Sequence, residues 1–593
     1  MSGPIRDLAG DFETFTPAEW QALAQRAIGD RDFQRTLIRQ TQGGLARGPV
    51  FFETKAPRPL TALPAAVDPY RPWGIAQGFS DADPETANSA ILEDLAGGVS
   101  DLVLKIDPSG KHGIAVKSVS DAARLLDGVD IVLAPVFLDA GTTPDIAEHI
   151  LPLLEAARKT SGELRGGLGL TPTDADGYAL AARLGDALPG IETHLVDARA
   201  IHDAGGTEVQ ELAFAAAGLN RAMRGLMESG LSADLAAQRI GVTLAVDADI
   251  HGGIAKIRAA RRIFAAILEQ FGVSSEHRRP RIRAVTSFRT LSASDPWTNL
   301  IRTATAGFAA GCASVDALTV RPLTDAIGRP SAFGRRLARN LHIMLQEESG
   351  IGRVADPAGG SFLHETLTES LAKAAWEQFR ILEGDGGYDA AVSGGPFAGE
   401  IAAAHAALIE RHATGRDTLV GVSQFVPADV KPILAADTDW QANLPPSPFA
   451  PVRIAEPFEA RHARSSTAAK DKRTVFLATL GTLADFNARA TFAAGRLAVA
   501  GLAVSEAAPY ETRDALIATF KKSGSPLAVL CGTDAAYGEA ANETAAALKE
   551  AGATAVWLAG APDPDFTEVD HFIHMKSHSL DDADAAHAVL EIA

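Results

Sequence analysis

Cysteine is nearly absent from this chain: Cys312 and Cys531 are the only two in 593 residues, far apart and neither in a C-x-x-C pair. No disulfide framework is therefore expected, and a reducing compartment fits best. Basic residues are in deficit, 55 against 74 acidic, for a formal net charge of -19. That argues against a general nucleic-acid or anionic-membrane partner, while saying little about a local anion site. No run of about 18 uninterrupted apolar residues occurs, so no membrane-spanning helix is expected. Met1 is followed by Ser-Gly-Pro-Ile-Arg-Asp-Leu, without a basic stretch leading into an apolar one, and the expected location is cytoplasmic.

What is present is length and alternation. A chain of 593 residues exceeds a single core and should divide into about two to four domains. Residues 1–55 read as a helical arm, with Phe15, Trp20, Leu23 and Ala27 at helical spacing and Pro17 suited to a first turn. Pro57, Pro59, Pro64, Pro69 and Pro72 make Lys55 to Trp73 an extended crossing segment. Eight short apolar runs then alternate with helical stretches: Leu102–Ile106, Ile114–Val116, Asp130–Leu133, Leu164–Leu170, Glu192–Val196, Gly241–Val246, Arg281–Thr286 and Ala317–Val320. The fold class this predicts is α/β, a (β/α)8 barrel over 56–385. Gly, Ala and Pro enrichment marks 386–473 as a linker region. A second, smaller doubly wound domain of flavodoxin-like order is expected over 474–593.

Several dispersed motifs narrow the reading. Ser294-Asp-Pro-Trp-Thr-Asn-Leu-Ile-Arg302, Phe333-Gly-Arg-Arg-Leu-Ala-Arg-Asn340, Leu345-Gln-Glu-Glu-Ser-Gly350 and Gly352-Arg-Val-Ala-Asp-Pro-Ala-Gly-Gly-Ser361 follow one another in the order of the last part of the methylmalonyl-CoA mutase barrel. Arg71-Pro-Trp73 and Ile254-Ala-Lys-Ile-Arg-Ala-Ala-Arg-Arg-Ile-Phe264 match earlier family segments. The chain resembles that family strongly from about 60 to 385 and weakly from 474 to 593. The resemblance implies an isomerase fold in which adenosylcobalamin supplies the radical and the protein binds and orients an acyl-CoA threaded through the barrel.

The residues that the resemblance would place at the reacting centre are substituted. In Ala198-Arg-Ala-Ile-His-Asp-Ala-Gly205, Arg199 and Ala200 stand at the family's Tyr and His, and an alanine cannot hydrogen-bond a thioester carbonyl. His202 is two residues away, and Asp203-Ala204-Gly205 fixes the register against it. Val285 stands at the family's Gln, and Ile75-Ala-Gln-Gly-Phe79 has no tyrosine to shield a radical. In the second domain Ala484, Phe486 and Arg489 replace the Asp, the cobalt-ligating His and the Gly of D-x-H-x-x-G. Cys531-Gly-Thr533 and Ala559-Gly560 stand where the family accommodates the nucleotide tail, and Phe486 and Arg489 are expected to fill space that a corrin needs.

The expectation is therefore a noncatalytic small (beta-type) subunit: no catalytic residue, no bound cofactor and no metal in this chain, with adenosylcobalamin held by a homologous large (alpha) subunit. A remodelled mutase for another acyl-CoA and a stand-alone acyl-CoA-binding scaffold stay open as alternatives. His571, His574 and His578, and Asp247, Asp249 and His251, have metal-ligating side chains, and both sets read better as hydrogen-bonded surface or loop residues. The run Arg278-Arg-Pro-Arg-Ile-Arg283 suits either CoA phosphates or a solvated approach to a strand. Gly166-Gly167-Leu168-Gly169 lacks the context of a dinucleotide loop and reads as a turn or close packing.

Overall fold

A computed structural model describes residues 15–52, 71–161, 164–427, 430–435, 447–469 and 472–592. Eight parallel strands close into a barrel: β1 Gly74–Phe79, β2 Asp101–Leu104, β3 Val136–Leu138, β4 Gly166–Leu170, β5 Ile191–Asp197, β6 Ile240–Val246, β7 Arg281–Thr286 and β8 Ala317–Thr319. Strand β8 pairs with both β7 and β1, which completes the ring. Every residue of β6, Ile-Gly-Val-Thr-Leu-Ala-Val, is buried, as expected for a parallel strand covered by helices on one side and packed side chains on the other. Among the described residues no helix is long and apolar enough to cross a membrane.

Two of the eight expected strands are corrected. Ile114–Val116 is not a strand; Ile114 makes one isolated bridge to Ile106 and is buried at the end of a turn organised by the Asp107 carboxylate. Asp130–Leu133 is a turn, with Leu133 76% exposed, and the barrel strand begins at Val136. The strand that sequence reading lacked is β1, whose Gly-Ile-Ala-Gln-Gly-Phe carries two glycines and a glutamine that is only 3% exposed.

The motifs that resemble those of the mutase family hold this barrel together. Asp295 caps helix Pro296–Cys312 with Pro296 in its first turn, and buried Asn299 donates to the Ser292 and Leu323 carbonyls at 2.8 Å each. Arg335 and Arg339 reach the buried Asp94 carboxylate at 2.8 and 2.5 Å. Gln346 donates to the Trp73 carbonyl at 3.0 Å. Asp356 pairs with Arg258, whose side chain is 1% exposed.

Helix Pro17–Ile28 carries a Thr16/Glu19 capping box and sets Trp20 edge-on against Phe33 and Phe52 at about 6 Å. Phe15 and Leu23 remain exposed. The arm is tied to the barrel through Arg47 and Asp249 at 2.9 Å and through Gln42, which donates to the Gly205 carbonyl. The crossing segment with Pro57, Pro59, Pro64 and Pro69 lies outside the described residues. The region expected as a linker carries helices Gly387–Val392, Gly395–Ala413 and Glu456–Thr467.

The second sheet contains β9 Thr474–Thr479, β10 Ala503–Val504, β11 Leu527–Cys531, β12 Ala555–Ala559 and β13 His571–Ile573, in the parallel order β10-β9-β11-β12-β13. This is the flavodoxin-like order, with apolar cores on both faces of the sheet.

Candidate functional site

Ligand sites in such barrels lie at the C-terminal ends of the strands. Here that mouth holds a cavity of about 140 Å³, lined among others by Gln77, Lys105, Phe137, Arg199, Val285 and Arg321. Pockets for drug-sized ligands run to about 300–1,000 Å³, so this one is small. Its charges are largely spent on one another. Arg199 reaches Asp197 at 2.6 Å and Asp139 at 3.1 Å. Burial works against the Arg199 charge, and the two carboxylates outweigh it and hold its pKa above the ordinary arginine value. Arg321 is divided between Asp325 at 2.8 Å and Asp203 at 3.1 Å.

Below the mouth the barrel axis is crossed by side chains. Glu192, 3% exposed, lies 2.9 Å from Arg283 and 3.7 Å from Arg281. The Arg283 guanidinium stacks over Phe137, 4.6 Å from its centroid. Two glycines make room for this plug: a Cβ at Gly241 would overlap Glu192 and Arg283, and one at Gly167 would stand 3.0 Å from Phe137. The glycine run Gly166 to Gly169 thus serves close packing inside β4.

Ala200 is partly buried against the helical layer. His202 is turned away from the cavity; its Nε2 is 2.7 Å from Ser287 Oγ and its Nδ1 3.7 Å from Glu211. Burial, then Arg289, pushes the His202 pKa well below the ordinary value, so the ring is neutral. The basic run lies mainly at the opposite end of the barrel, where Arg279 and Arg281 join Arg158, Arg165 and His277 around a cavity of about 400 Å³. The Glu192–Arg283 pair stands inside the barrel beyond this cavity.

The metal-ligating candidates are dispersed. Asp249 caps helix Ile250–Gln270 and pairs with Arg47, Asp247 faces Arg289, and His251 lies 3.1 Å from His364. His571 meets Asp582 at 2.9 Å, while His578 caps helix Ser579–Val589. Among the described residues no three ligating side chains converge.

In the second domain, Ala484, Phe486 and Arg489 all lie in the first two turns of helix Leu483–Val499 and face different ways. Ala484 is exposed. Phe486 is 0% exposed and belongs to the core with Val475, Leu497 and Trp557, which corrects the expectation that its ring would occupy corrin space. Arg489 pairs with Asp534 at 2.5 Å and lies over the Tyr537 ring at 4.8 Å. Tyr537, missed in the sequence, fills the cleft between the ends of β11 and β12. Its hydroxyl sits 3.1 Å from the Leu530 carbonyl and 3.0 Å from the Ala559 carbonyl, and accepts from the Gly532 N–H at 3.0 Å. The signal was an aromatic four residues beyond Thr533, in the first turn of the helix that follows β11.

Residues 180–466 match the family model described as methylmalonyl-CoA mutase. A methylmalonyl-CoA mutase small subunit from Streptomyces virginiae is 34% identical, over 95% of this chain and 95% of the relative. The chain belongs to the methylmalonyl-CoA mutase family. A mutase small subunit from Propionibacterium freudenreichii subsp. shermanii is 32% identical, over 93% of this chain and 90% of the relative. A probable mitochondrial methylmalonyl-CoA mutase from Caenorhabditis elegans is 28% identical, over 69% of this chain and 61% of the relative. Similarity to these small subunits thus extends through both domains.

Burial of neutral histidines gives the fold a pH dependence. His194 and His342 are 0% and 1% exposed, and burial lowers the pKa of each to about 3. The unfolded chain protonates them near pH 6.5, so it binds more protons below that value and stability falls with pH. Each ring should cost about 1.4 kcal/mol per pH unit between about 6.5 and its folded pKa. Urea midpoints measured at pH 7, 6 and 5 should decline progressively, and a flat series would contradict this environment for the rings.

Proposed function

We propose that this chain is the noncatalytic small subunit of a heterodimeric methylmalonyl-CoA mutase. It supports a homologous large subunit that holds adenosylcobalamin and interconverts (R)-methylmalonyl-CoA and succinyl-CoA. The observation that carries the reading is the cluster of Glu192, Arg283 and Phe137 inside the barrel, where a threaded acyl-CoA would have to displace a buried ion pair. The second domain supports it independently. Its residues do not fit a corrin: Phe486 offers no ligating lone pair and is committed to the core, and Tyr537 occupies the cleft between β11 and β12. The relatives named as small subunits, matched over at least 90% of this chain in three organisms, favour a partnered assembly.

Pairing is the testable part. Obligate interfaces usually bury more than about 2,000 Å², and the exposed Phe15 and Leu23 of the arm are suited to contribute. Tagged chain co-expressed with the large-subunit homologue should purify as a stable heterodimer. A chain lacking residues 1–55 should pair more weakly while both barrels keep their circular dichroism. Undiminished pairing would remove the arm from the interface; no pairing by the full chain would overturn the subunit assignment.

A further inference from the structure

We infer that helix Glu456–Thr467 clamps the second domain rigidly to the loop that follows β7, so that the two domains move and unfold as one body. The helix sits between them and is bonded to both.

On the barrel side a single carboxylate gathers the loop. Glu459 Oε1 accepts from the backbone N–H of Ala293 at 2.7 Å and of Ser294 at 3.1 Å, and from the Ser292 hydroxyl at 2.9 Å. Its Oε2 accepts from Arg453 at 2.7 Å. Just before the helix, the Ile454 N–H donates to the Arg289 carbonyl at 2.8 Å. Charge-assisted bonds of this kind are roughly twice as strong as neutral ones, and here they converge on a carboxylate whose side chain is only 13% exposed.

On the other side, Arg461 reaches Asp584 at 2.5 Å and donates to the Leu580 carbonyl at 3.2 Å. Ser465, 0% exposed, donates to the Ala500 carbonyl at 2.6 Å. Gly501 comes so close that a Cβ there would stand 2.8 Å from the His462 carbonyl oxygen. Between these two polar ends lies a separate apolar core, in which Phe458 of the clamp meets Leu408 and Val422 from the barrel side with Val499 and Leu580 of the second domain. A hinge on either side of the helix would have to break this core and a full set of these bonds together. Flexible interdomain contacts, by contrast, tend to be polar and modest in size.

The test uses the full-length chain in a scanning calorimeter and in amide hydrogen exchange. The wild type should unfold in one transition. Glu459→Ala and Phe458→Ala should each resolve a separate, earlier melting of the second domain. In Glu459→Ala, exchange at Ala293 and Ser294 should accelerate on the order of tenfold or more as their acceptor is lost. A wild type with two separated transitions would overturn the clamp, as would variants that still melt in one step. If the variants do not fold, wild-type exchange decides: residues 456–467 must be as protected as the cores of both domains, and faster exchange there overturns the inference.

Discussion

Phe486→His is expected to leave the purified chain colourless after incubation with adenosylcobalamin and to destabilise the second domain by about 3 kcal/mol. The substitution restores the ligand type at the family's cobalt-binding position, but leaves the other substituted positions of that motif as they are. The structure places the ring elsewhere. Phe486 is 0% exposed, with its side chain committed to the core behind β9 and β12. An imidazole there loses apolar burial and carries two ring nitrogens into a site built from aliphatic and aromatic neighbours. Ala484, Arg489 and the Tyr537-filled cleft also remain. Chemical denaturation monitored in the second domain, together with a visible spectrum after gel filtration, checks both halves. Stoichiometric corrin in this one variant would mean that the helix start rearranges and the cleft opens.

Asp94→Ala should cost about 3–5 kcal/mol, the range for removing one partner of a buried ion pair. Asp94 is 1% exposed and receives both Arg335 and Arg339, each 8% exposed. Without it two guanidinium groups stay buried between helices Pro84–Ala96 and Ala332–Ile343. Among the described residues Arg335 then keeps the distant Glu93, at 3.6 Å, and the Pro330 carbonyl. The variant should melt at a markedly lower temperature while its circular dichroism in the cold stays native. A loss under about 1 kcal/mol, the scale of an exposed pair, would show that these arginines escape to solvent.

How far the sequence led depends on what each element owes to its own residues. Strand β7 was legible to the residue, because Arg-Ile-Arg-Ala-Val-Thr alternates charged with apolar residues and ends on a β-branched pair, starting just after Pro280. Strand β1 was not, because its burial comes from closure of the barrel around Gln77 rather than from its own composition. Ile114 and Val116 misled for the converse reason: they are fully buried, yet in the apolar layer they share with strand residues Leu102 and Leu104 and helix residues Ile91 and Leu125 rather than in a strand ladder. At the site, the structure puts Arg199 and Val285 in the cavity wall. The plug could not be read, since Glu192, Arg283 and Phe137 come from three strands and meet only when the barrel closes. Tyr537 was hidden likewise, because its three hydrogen bonds run to two different strand ends.

The central claim is that this chain assists the cofactor chemistry without holding the cofactor. Corrin content of the reconstituted heterodimer, saturated with adenosylcobalamin and freed of excess by gel filtration, tests it most directly. The account predicts one corrin per pair of chains, with none retained by this chain alone; two corrins per pair would contradict it.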